Sequence, residues 1–139
     1  MVKYITKILI GDKAMSILGT TRLSESSCYL VLEGNFIEDI LRDEQTGSIY
    51  VNALGNAFYE EIYRSEKNNL IASPQAMLNL RAYDYIQYLN GKEFEKAAQA
   101  DYDIRFLIIR YKLQDINIAK KHLSKLQLQE IENLLKSIK

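Results

Sequence analysis

The feature that most narrows the folding choices is the sole proline of the chain, Pro74, directly after Ser73. Serine can cap a helix N-terminus. Proline loses nothing in the first helical position, where its missing N–H would have no partner anyway. Leu78, Ala82, Tyr85 and Leu89 then recur at helical spacing, and Asn90-Gly91 provides the stop. From this point the pattern is helical to the end. Residues 92 to about 114 place Ala98, Tyr102, Phe106, Ile109 and Leu113 on one face, with Ile104, Ile108 and Tyr111 on a second. A helix apolar on two faces is expected to be covered on both, which predicts the central element of the helical part. Asn117 can start the last segment, where Ala119 and Leu123 form one stripe and Leu128, Ile131, Leu135 and Ile138 another. The stripes are out of phase, predicting a break near residues 124–128.

The first third reads differently. Residues 2–10 are rich in Ile and Tyr and end at a turn, Gly11-Asp12-Lys13. Residues 14–23 and 28–33 read as two further strands, and an antiparallel meander is expected. Asn35 with Glu38 has capping-box spacing, which favours a helix over 36–42. The competing reading is a strand entering a hairpin turn at 44–47, followed by a strand over 48–51. Asn52 can cap a further helix with Leu54, Phe58 and Ile62 inward and Glu60, Glu61 and Arg64 outward.

The expected fold is therefore α+β: a small antiparallel β-rich part, residues 1–52, followed by a bundle of about four helices, residues 53–139. At 139 residues, with 47% hydrophobic and 26% charged, the chain suits one domain that needs no metal or disulfide to hold it. The lone Cys28 and the shortness of every apolar run predict a cytoplasmic protein without a membrane segment. Eighteen basic and eighteen acidic residues cancel, which removes the broad electrostatic footprint of a nucleic-acid binder. The cancellation is uneven, with residues 1–69 at net −3 and residues 70–139 at net +3. Lys120, Lys121 and Lys125 concentrate the excess and mark a possible basic contact, although lysines near a helix C-terminus are ordinarily a solvated face.

Residues able to do chemistry are few. His122 is the one histidine and sits among lysines with no orienting carboxylate nearby in sequence, and Cys28 lies in the apolar run 28–32 and is expected to be a buried, inert thiol. One His and one Cys cannot build a nitrogen–sulfur zinc site. Asp101 and Asp103 enter an otherwise apolar helix, where carboxylates would most simply start its second half. The six glycines are scattered, with no phosphate-binding loop. Neither catalytic residues nor a cofactor or metal are expected.

The aromatic set is skewed: ten Tyr against four Phe and no Trp. Tyr83, Tyr85 and Tyr88 span well over half the circumference of one helix, so they cannot all face one core. Tyrosine pairs apolar area with a polar tip, which suits contact surfaces between proteins. The expected function is a protein-interaction module, a small regulator or inhibitor, contacting itself or another protein through Tyr83, Tyr85 and Tyr88. One stretch resembles the end of a winged-helix DNA-binding domain. Leu18-Gly19-Thr20-Thr21 would form the helix-turn-helix corner, residues 36–51 the wing and 52–64 the closing helix. That resemblance implies a transcriptional regulator with 24–32 as recognition segment, yet the segment has no Lys or Arg.

Overall fold

The computed structural model describes residues 7–20, 27–32, 40–43, 48–66 and 69–138. In chain order the elements are β1 (Ile8–Ile10), α1 (Gly11–Leu18), β2 (Cys28–Val31), β3 (Ile40–Asp43), β4 (Ser48–Asn52), α2 (Ala57–Glu66), α3 (Pro74–Asn90), α4 (Phe94–Tyr111), α5 (Asn117–Lys121) and α6 (Lys125–Lys136). The class is α+β, with strands confined to the first part, as the sequence predicts. Six helices are present among the described residues, a little above the four expected. The chain divides into two compact units, Met1–Ala76 and Met77–Lys139.

In the first unit the sheet order is β1-β2-β4-β3. β1 pairs antiparallel with β2, and β3 with β4, but β2 and β4 run parallel in register Cys28↔Ile49 to Val31↔Asn52. The expected meander is thus corrected to a mixed sheet. Strand β3 takes the outer edge and β4 returns between it and β2. A short apolar run reveals a strand but not the direction of its neighbour, which explains the miss. Residues 40–43 are strand rather than helix, so the hairpin reading prevails there; Asn35 and the turn 44–47 lie outside the described residues. Residues 11–18 are helix where a turn and strand were expected. Ala14 and Met15 are fully buried on α1, and Gly19 ends it at φ 125°.

The free edge of β1 is closed by the chain before α3. Leu9 donates to the Leu70 carbonyl at 2.8 Å, and Ala72 donates back to the Leu9 carbonyl at 3.0 Å. The helix after β4 starts four residues later than expected, because Asn56 rather than Asn52 accepts from its first turn, at Tyr59 N–H, 3.1 Å. Asn52 instead turns the chain by accepting from Leu54 N–H at 3.0 Å. Leu54 is consequently exposed, while Phe58 and Ile62 are buried as the periodicity requires.

In the helical part the boundaries follow the sequence closely. Ser73 Oγ accepts from Ala76 N–H at 3.1 Å, and α3 ends at Asn90. Met77, Leu78, Ile86, Ile104, Leu107, Ile116 and Ile131 are fully buried. Asn79, also buried, accepts from Ala119 N–H at 3.0 Å, so a side chain of α3 fixes the start of α5. The predicted break falls at residues 122–124, slightly earlier than 124–128. Ser124 and Gln127 form a capping box that starts α6 anew.

Candidate interaction surface

The geometry of α4 departs from its sequence reading. Its covered side consists of Ala97, Ala100, Asp103, Ile104 and Leu107. The stripe expected inward is largely outward: Ala98 is exposed, Tyr102 is 55% and Ile109 64% exposed, and Phe106 and Leu113 are half-buried. Of the second predicted face, Ile104 is buried while Ile108 and Tyr111 are half-buried, so the helix is fully covered along neither predicted face. Spacings of four, four and three residues keep Ala98, Tyr102, Phe106 and Ile109 in one row about 16 Å long. Phe94, 64% exposed, lies at the start of the same helix.

Charge is ordered along this helix. Glu95 and Asp101 stand in its first half, and Arg105, Arg110 and Lys112 in its second half and at its end. Lys96 is engaged by Glu93 at 3.1 Å. Arg105 is held by Asp101 one turn earlier and by Ser137 Oγ at 2.7 Å. The acidic start and basic end also suit the helix dipole.

Beneath the stripe, α4 is tied to α3 by a buried ionic group. Arg81 Nε donates to Asp103 at 2.8 Å, and its Nη1 donates to Asp84 at 3.0 Å. Asp103 is fully buried and the Arg81 side chain is 10% exposed. Burial raises the Asp84 carboxyl above the usual aspartate range; Arg81 opposes this and Asp103 adds to it. Sequence reading singled out Asp103 but missed Arg81 and Asp84. An Arg three residues before an Asp on an amphipathic helix looks like a surface pair, and nothing local signals a third partner 22 residues away.

The tyrosines singled out from the sequence are all half-buried on α3. Burial raises the Tyr85 hydroxyl, with Asp101 and Glu130 adding to it and Arg105 opposing. Tyr85 therefore lies within electrostatic range of the Asp101–Arg105 pair. Burial also raises Tyr88, helped by Asp84 and opposed by Arg81, and Lys96 Nζ lies 5.8 Å from the Tyr88 ring centre. The structure brings two of the three tyrosines against charged groups of α4, but the most exposed tyrosine of the surface is Tyr102.

Lys120 is half-buried and Lys121 exposed at the end of α5, and Lys125 is exposed at the start of α6. Cys28 is half-buried in β2 rather than buried, because a strand residue facing Gly11 meets little side-chain cover. His122 is half-buried at the C-terminal cap of α5. Asp101 and Asp103, neighbours in sequence, point to different partners. Among the described residues no group of three His, Cys, Asp or Glu could hold a metal ion, and no helix is long and apolar enough to cross a membrane. The segment that a winged helix would use for recognition contains strand β2 at the centre of the sheet pairing. No protein-family model, curated protein or solved structure matches this chain.

Proposed function

We propose that this chain is a protein-interaction module whose helical half works by binding a protein partner, with the α4 stripe as its contact surface. The observation that carries this reading is the row Ala98, Tyr102, Phe106 and Ile109 on α4, exposed at Ala98, Tyr102 and Ile109 and half-buried at Phe106. Covering side chains as exposed as Tyr102 and Ile109 stabilises a complex by about 1–2 kcal/mol each. Aromatic anchors set among polar neighbours are the usual energetic centre of an interface. Tyr85 and the Asp101–Arg105 pair supply a polar margin, so the tyrosines of α3 act at the edge of the contact rather than at its centre. A small regulator or inhibitor would work in this way, by occupying a surface on its target.

The test is affinity capture from the source organism with wild-type and Ile109→Glu baits. One protein recovered in stoichiometric amount by the first bait and lost with the second is expected. A partner retained equally by both baits would place the interaction elsewhere and refute the assignment to α4.

A further inference from the structure

We infer that the α4 stripe docks a second copy of this chain, with the two α4 helices antiparallel about a two-fold axis that crosses the stripe at the level of residues 103 and 104. This rests on the reading of the stripe as an interaction surface and names its occupant. The first argument is charge. Lys96 at the start of α4 is held by Glu93, and Asp101 and Arg105 hold each other, so the remaining exposed charges are Glu95 at the start and Arg110 and Lys112 at the end. An antiparallel copy sets each acidic end over a basic end, whereas a parallel copy sets like charges together. The second argument is shape. With the axis between residues 103 and 104, Ala98 stands level with Ile109 of the other copy, small against large, while Tyr102 stands level with Arg105 and Phe106 with Asp101, so the aromatic rings of opposite copies are offset by one residue, about 1.5 Å. At the ends of the contact, Glu95 is level with Lys112 of the other copy. A two-fold contact repeats each of these pairs, so one favourable pairing counts twice.

The third argument is the absence of long-range repulsion. The chain has 18 basic and 18 acidic residues, so two copies approach without a net electrostatic penalty. One helix crossing with a 16 Å apolar row lies at the small end of specific interfaces, below about 1,200 Å² in total. The dimer is therefore weak and concentration-dependent, in the range where a cell-level change in amount or a competing partner shifts it.

Sedimentation equilibrium over about 10–300 μM tests this. The wild-type mass is expected to rise from 16.1 kDa toward twice that value with concentration. Ile109→Glu should weaken association about tenfold or more. Tyr102→Glu serves as the second disrupting variant should Ile109→Glu fail to fold, with circular dichroism as the check. Glu95→Lys and Lys112→Glu should each self-associate more weakly than wild type, because each places like charges at both ends of the contact. Mixed one to one, these two variants should recover wild-type association, since every end contact is then between opposite charges. A wild-type chain monomeric throughout the range overturns the second copy as occupant. It leaves the interaction module standing if capture still depends on Ile109. Dimerisation indifferent to Ile109→Glu and Tyr102→Glu, or no recovery on mixing, overturns the antiparallel α4 contact.

Discussion

Replacing Asp103 with Ala should be among the most damaging single changes available in the helical unit. Asp103 is fully buried and its carboxylate receives Arg81 Nε at 2.8 Å, while the Arg81 side chain is only 10% exposed. Arg81 retains Asp84 at 3.0 Å, but that carboxylate is itself raised by burial and further opposed by Asp103. Removing Asp103 leaves a guanidinium in a poorly hydrated site with half its neutralisation. Breaking a buried pair from one side costs about 3–5 kcal/mol, because the remaining charge is stranded rather than because the pair is worth that much. At about 4 °C per kcal/mol for a chain of this length, thermal unfolding should move down by about 12–20 °C. The control is Arg81→Met with Asp103→Leu, which removes both charges and restores volume. The double variant should recover most of the loss, since well-packed apolar replacements of buried pairs are often neutral or better. A shift below about 3 °C for Asp103→Ala in a calorimetric melt would mean that the group is not isolated from water, and the reasoning fails.

Further outcomes are expected from the same geometry. Ile104→Ala should cost about 2–5 kcal/mol in urea unfolding, whereas Ile109→Ala, at a 64% exposed position, should stay within about 0.5 kcal/mol of wild type. Asp84→Asn should be more stable than wild type at neutral pH. Burial raises the folded-state Asp84 pKa, so ionisation destabilises the fold above that value, and the advantage should vanish as pH falls through the aspartate range in a pH series of melts. Gly11→Ala should destabilise measurably, since Gly11 has φ 78° and an added Cβ would stand 3.2 Å from Cys28 Cβ. A melt unchanged by that substitution would show that the β1–α1 junction can relax.

What the sequence disclosed was local. Ser73-Pro74 and Asn90-Gly91 bound α3 correctly because caps and stops act within one turn. The phase change between Leu123 and Leu128 likewise located the break before α6. Residues 11–18 read as a turn followed by a strand over 14–23, while the helix is decided by burial of Ala14 and Met15 in the unit that holds the sheet. The direction of β2 relative to β4 could not be read from either strand, since parallel pairing depends on where β3 goes. The candidate surface was half legible. Periodicity placed Ile104 inward on α4, but the rest of the covered face, Ala97, Ala100, Asp103 and Leu107, was not read from it, because small alanines carry little apolar signal. The skew toward Tyr singled out Tyr83, Tyr85 and Tyr88, which are partly enclosed on α3, whereas Tyr102 on α4 is 55% exposed.

The reading of α4 as a contact surface meets its most direct test in site-specific photo-crosslinking within the source organism. A benzophenone side chain would replace Tyr102, which is 55% exposed at the middle of the stripe, and in a control would replace Glu132, exposed on α6. Irradiation should give one discrete protein adduct from position 102, abolished by Ile109→Glu and absent from position 132. No adduct at 102, or the same adducts from both positions, would contradict the account.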